Sequence, residues 1–121
     1  MAIEYILEAD ERLTPEELSR VLATFPGAEF TANDTGMSGR LSPHGPFLYA
    51  QPRVSSPKVL AEGYGGDWPV AQRITFRLSA SGFDEDMDAL ERLIAALQTE
   101  TAARFVLSRQ FDTIVAVRDQ V

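Results

Sequence analysis

One order of hydrophobic patterns occurs twice along the chain, and this repetition restricts the folds that the chain can adopt. In each half an alternating segment is followed by an amphipathic helix pattern and two short alternating segments. The first half has its strands at 3–8, 28–32 and 37–41 with a helix at 14–25; the second has strands at 73–78, 103–108 and 113–118 with a helix at 84–99. Two β-α-β-β halves predict an α+β fold, in which one mainly antiparallel or mixed sheet carries both helices on one face.

The first helix has clear boundary signals. Thr14 is a good N-cap and Pro15 suits the first helical position, while Pro26 and Gly27 end the pattern. Leu18, Val21, Leu22 and Phe25 supply its apolar stripe.

The leading strands of the two halves carry opposite charges at matching positions. Glu4 and Glu8 alternate with apolar residues in the first, and Arg73 and Arg77 do so in the second. If these strands are neighbours, the glutamates lie near the arginines on the solvent face, where opposite charges favour pairing.

The stretch 42–70 differs in composition, with five of the seven prolines and four of the eight glycines. Residues 47–50 are predicted to form a short edge strand, because proline this frequent is expected to exclude a central strand or a helix. We interpret the rest as a long connection lying over a single domain that spans 1–121. Long irregular loops are often functional or mobile.

The charge balance is acidic, with 18 acidic and 11 basic residues and a formal net charge of -7. This field repels phosphate backbones and disfavours nucleic-acid binding. It is explained either by solubility alone or by a partner with a basic surface. No apolar run approaches the roughly 20 residues that span a bilayer, so the expectation is a cytoplasmic protein without membrane partners.

Catalytic and metal-binding patterns are weak. The chain has no cysteine and a single histidine, His44, in a proline-glycine turn that is typical of an exposed loop. The run Gly63–Trp68 matches no phosphate-binding pattern and precedes a strand instead of a helix. We therefore predict a non-enzymatic protein with no cofactor and no metal.

Two groups of residues are candidates for contact with a partner. Aromatic side chains beside carboxylates are common in contact surfaces, although Trp68 is equally well explained by packing back onto the core. Acidic residues at the start of a helix interact favourably with its dipole, and form a partner surface in the alternative interpretation. The candidates are Glu62, Tyr64, Asp67 and Trp68 in the connection, and Asp84, Glu85 and Asp86 at the start of the second helix.

The pattern of the two halves resembles the Sit-type immunity proteins of bacterial swarm-inhibition toxin systems. The resemblance is carried by Ile3-Glu4-Tyr5 before the Thr14-Pro15-Glu16-Glu17-Leu18 helix start, and by Ile74-Thr75-Phe76-Arg77-Leu78, Asp84-Glu85-Asp86-Met87 and Ile114-Val115-Ala116-Val117-Arg118. It covers most of 1–25 and 72–118. It implies a protein that binds and blocks a toxin delivered from a neighbouring cell. Many such toxins are nucleases with basic surfaces, which an acidic inhibitor can cover.

Two alternatives stay open beside this immunity function. One is a small-ligand binding or regulatory domain, as a monomer or a homodimer, with a pocket on the open face of the sheet or at Tyr64–Trp68. The other is an enzyme that uses carboxylates and His44, although no constellation in the sequence meets the geometric roles of an active site.

Overall fold

A computed structural model describes residues 2–33, 36–43, 45–51, 54 and 57–118. Its elements, in chain order, are β1 (Ala2–Ala9), α1 (Pro15–Leu22), β2 (Glu29–Asn33), β3 (Gly36–Arg40), β4 (Phe47–Ala50), β5 (Gln72–Ser79), α2 (Phe83–Glu100), β6 (Phe105–Arg109) and β7 (Thr113–Arg118). The hydroxyl of Thr14 accepts a hydrogen bond from the Glu17 amide at 3.1 Å, which confirms Thr14 as the N-cap of α1. This helix ends at Leu22, three residues before the predicted end.

The strands form one seven-stranded sheet in the order β2-β3-β4-β5-β1-β6-β7, with every neighbouring pair antiparallel. The prediction of an α+β fold with a mainly antiparallel sheet is confirmed. The two leading strands, β1 and β5, are central neighbours. Strands β2 and β3 of the first half lie beyond β5, and strands β6 and β7 of the second half lie beyond β1.

Both helices pack on the same face of the sheet, as predicted. Leu18 and Leu22 of α1 and Leu90 and Leu93 of α2 share one buried cluster with Leu7 of β1. Full burial of such a side chain contributes roughly 1.5–3 kcal/mol. We call this the helical face, and the opposite side the second face.

The predicted charge pairing between β1 and β5 is confirmed, since Glu4 lies opposite Arg77 and Glu8 opposite Arg73. The expectation that all four lie on a solvent face is wrong for Glu8, whose exposed fraction is 0%. The 57–70 segment covers it, and the amides of Leu60 and Ala61 donate to its carboxylate.

The covering segment packs on the second face above β1, β6 and β7. Ala61, Trp68 and Val70 form a buried cluster with Val106 of β6, which lies beside Glu8 in the strand pairing. The sheet is therefore covered by helices on one face and, over part of its width, by this segment on the other.

The position of β4 contradicts the prediction of an edge strand. It lies inside the sheet between β3 and β5. The reason is that Pro46 precedes Phe47–Ala50 and no proline falls within those four residues, so every amide of the strand is available for pairing. Leu48 is buried against the helical face.

Neither helix in the described part of the chain is both long and apolar enough to span a membrane.

Candidate functional site

The part of the second face that the 57–70 segment leaves open carries a row of side chains across five strands. The strand registers place Glu29 opposite Arg40, Arg40 opposite Phe47, Phe47 opposite Arg77 and Arg77 opposite Glu4. An aromatic ring therefore has a guanidinium on each side and a carboxylate beyond each guanidinium. Arg77 Nη2 lies 3.1 Å from Glu4 Oε2, so one end of the row is an ion pair.

Phe47 and Tyr49 are large apolar side chains left in contact with solvent. They are 48% and 40% exposed, because alternation along β4 directs Leu48 and Ala50 to the core and these two outward. The guanidinium carbon of Arg40 lies 4.5 Å from the centroid of the Phe47 ring, in cation–π contact. Arg40 Nη1 also donates to the Pro43 carbonyl at 3.1 Å, so two interactions hold this guanidinium in place.

These residues surround a groove of about 540 Å³. Its lining includes Ser38, Arg40, Phe47, Tyr49 and Arg77. A largely apolar depression with a few polar groups is the usual composition of a binding site, and aromatic and arginine side chains dominate binding hot spots. We call it the β4 groove.

A second candidate surface is the outer side of α2. The helix has six acidic residues and one arginine. Asp84, Glu85, Asp88 and Glu91 are exposed, and we call these four the acidic helix surface. Ion pairs among the described residues involve Glu4, Glu8 and Glu100, and none of these four.

Asp86, the third acidic candidate at the helix start, differs from Asp84 and Glu85 because it is only 4% exposed. Its Oδ2 accepts hydrogen bonds from the Ser79 amide at 3.0 Å and from the Ser79 hydroxyl at 3.5 Å. These hydrogen bonds link the end of β5 to the start of α2, and little of the Asp86 side chain is available to a partner.

The candidates in the connection also differ in burial, because some are enclosed and others are exposed. Trp68 is 6% exposed and packs on the sheet, while its Nε1 donates to the Tyr64 hydroxyl at 2.8 Å. The two rings meet edge to face, with centroids 6.0 Å apart. Glu62 and Asp67 are exposed. Trp68 therefore packs back onto the core, which was the alternative to a partner contact, and Tyr64 is half-buried beside it.

The seven candidates do not form one surface. Glu62, Asp67 and the two aromatic residues lie on the second face, whereas Asp84 and Glu85 lie on the helical side. A single partner surface cannot easily contact both groups. His44 lies outside the described residues, and among the residues that are described no group of three or more histidines and carboxylates is placed to hold a metal ion.

The residues of the β4 groove were not among the candidates predicted from the sequence, although an open sheet face was considered as a place for a pocket. A signal was present, because Phe47-Leu48-Tyr49-Ala50 alternates two aromatic residues with two aliphatic residues between two proline-containing stretches. Because this strand was predicted to lie at an edge, its outward-facing residues were not expected between β3 and β5, in the middle of the five-strand row.

Comparisons of the chain with protein-family models, with curated proteins and with solved structures give no match.

Proposed function

We propose that the chain is a non-enzymatic immunity-type protein that binds a cognate bacterial toxin with a basic surface and neutralises it. The observation that supports this proposal is the acidic helix surface, in which four exposed carboxylates stand on one rigid helix. In a chain of net charge -7, they concentrate the negative field on the helical side.

The acidic helix surface acts on the rate at which a partner associates. Carboxylates that form no ion pair within the described part of the chain are available to a partner, and complementary potentials raise association rate constants far above those of uncharged surfaces. The backbone that carries them is held by the core residues Leu90 and Leu93 and by the Asp86–Ser79 hydrogen bonds. Such preorganisation reduces the entropy that is lost on binding.

The first experiment is affinity capture of the tagged protein from its native cells at low and high salt, with the captured protein identified by mass spectrometry. A basic partner released by salt is the expected result. Its association kinetics are then compared for Asp84→Asn/Asp88→Asn and for the matched Glu62→Gln/Asp67→Asn variant, which removes the same charge from the opposite side.

We expect the α2 variant to slow association by about tenfold at low salt and to flatten its salt dependence, with a smaller change in the matched variant. Equal effects of the two variants would assign the effect to net charge and contradict a specific role of α2. A larger effect of the Glu62/Asp67 variant would move the contact to the connection.

A second candidate function is small-ligand binding, and the β4 groove is the observation that favours it. Thermal stabilisation of the protein by a metabolite, without a protein partner in the capture experiment, would favour this function over toxin binding.

A further inference from the structure

We infer that the β4 groove is a recognition site for small planar aromatic monocarboxylates. The inference is independent of toxin binding, because the groove lies on the second face and the acidic helix surface lies on the helical side. The two sites can be occupied at the same time.

The apolar part of the site is supplied by Phe47 and Tyr49. Both point outward from a strand in the interior of the sheet and remain 48% and 40% exposed. A flat aromatic ligand would cover surface that the fold leaves in water, and offset stacking on these rings adds to the gain from burial.

The charged part is supplied by the guanidiniums of Arg40 and Arg77, one on each side of Phe47 in the cross-strand row. A guanidinium carries five N–H donors. Arg40 uses Nη1 for the Pro43 carbonyl, and Arg77 uses Nη2 for Glu4. Within the described residues the other donors have no hydrogen-bond partner, so they are available to a carboxylate that reaches between the two arginines.

Arg40 is also preorganised for this role. Its cation–π contact with Phe47 and its hydrogen bond to the Pro43 carbonyl restrain the guanidinium before a ligand arrives. Less side-chain entropy is then lost on binding, and planar bidentate recognition of a carboxylate depends on such a fixed orientation.

The charges of the row select a monoanion. Two arginines stand with two glutamates, Glu29 and Glu4, and Glu4 already neutralises part of the charge of Arg77. A phosphate-rich ligand would bring more negative charge than these guanidiniums can balance, in a chain that is acidic overall. The groove volume of about 540 Å³ falls in the range of sites that bind small molecules.

The test is a titration of the ¹⁵N-labelled chain with benzoate, followed by two-dimensional NMR at constant ionic strength, with benzamide as the uncharged probe of the same shape. We expect saturable benzoate shifts confined to the amides around Ser38, Arg40, Phe47 and Tyr49. Benzamide should bind about tenfold more weakly, because a charge-assisted hydrogen bond is lost.

Arg40→Gln and Arg77→Gln should each weaken benzoate binding by about tenfold, and Phe47→Leu should weaken both probes. Arg92→Gln makes the same charge change on α2, where Arg92 is exposed on the other side of the molecule, and should leave benzoate binding unchanged. A retained spectrum of dispersed peaks shows that each variant is folded.

Absence of saturable shifts would overturn the inference. So would equal binding of benzamide, which would leave an apolar surface without anion recognition, or unchanged benzoate binding in both arginine variants. Loss of binding in Arg92→Gln would overturn it too, because the effect would then follow net charge.

Discussion

Arg73 donates two hydrogen bonds to one oxygen of the buried Glu8 carboxylate, from Nε at 3.1 Å and from Nη2 at 2.9 Å. The same oxygen accepts the Leu60 amide at 2.8 Å, and the other oxygen accepts the Ala61 amide at 3.0 Å. One side chain of β1 therefore joins β5 to the 57–70 segment. A buried carboxylate is tolerated only when it is paired and hydrogen-bonded in this way.

Glu8→Gln is expected to lower the free energy of unfolding by roughly 3 kcal/mol, because Arg73 and the two amides lose a charged acceptor in a buried place. Urea denaturation measures this change. The control is Glu4→Gln, whose ion pair with Arg77 is exposed and should contribute less than about 1 kcal/mol. Equal losses in the two variants would contradict the role assigned to Glu8.

Trp68 should report on the attachment of the 57–70 segment, since it is the only tryptophan and is buried on the sheet. In Glu8→Gln we expect acrylamide to quench its fluorescence more strongly at denaturant concentrations below the unfolding transition, as the segment detaches before the sheet unfolds. In Glu4→Gln the quenching should match that of the unchanged protein. Identical quenching in both variants would show that the segment stays attached without the Glu8 carboxylate.

Gly39→Ala is expected to destabilise the protein by roughly 1–3 kcal/mol, because a Cβ there would lie 2.5 Å from Phe30 Cα and would collide with the Glu29 carbonyl. Backbone atoms on the paired strand cannot move aside cheaply. Gly65→Ala is the matched control, because apart from its own chain neighbours no described residue has an atom within 4 Å of the added Cβ. Thermal denaturation of both variants tests the close approach of β2 and β3, and a similar melting temperature for the two would exclude it.

Asp86→Ala should cost roughly 1–3 kcal/mol, because the Ser79 amide would lose its acceptor in a part-buried place. Asp88→Asn, on the exposed side of the same helix, should change stability by no more than about 0.5 kcal/mol. Chemical denaturation separates the two. A larger loss in Asp88→Asn would contradict the division of these acids into one structural residue and an exposed surface.

The pairing of the two leading strands could be predicted from the sequence because period-two alternation and complementary charges both point to one register. Glu4 opposite Arg77 and Glu8 opposite Arg73 satisfy both signals at once. The burial of Glu8 could not be predicted in this way, since it depends on the distant amides of Leu60 and Ala61, and backbone amides leave no signature in side-chain patterns.

The candidate site was less predictable because exposure depends on which faces the rest of the chain covers. Trp68 and Asp86 were candidates for partner contact, yet both are enclosed by their own neighbours. Phe47 and Tyr49 are exposed because the 57–70 segment packs over β1, β6 and β7 and does not reach β4. No local pattern encodes how far a connection extends.

The central position of β1 has a consequence for the order in which the molecule can form. Its neighbours are β5 and β6, so contacts such as Ala9 with Gln72 join the start of the chain to its second half. Sheets dominated by such distant pairings fold slowly, roughly in milliseconds to seconds, because the loop entropy is lost before the contacts are gained. During synthesis on the ribosome β1 is made before both of its partners and stays unpaired until β5 has followed, so its apolar residues are accessible to a chaperone during that interval.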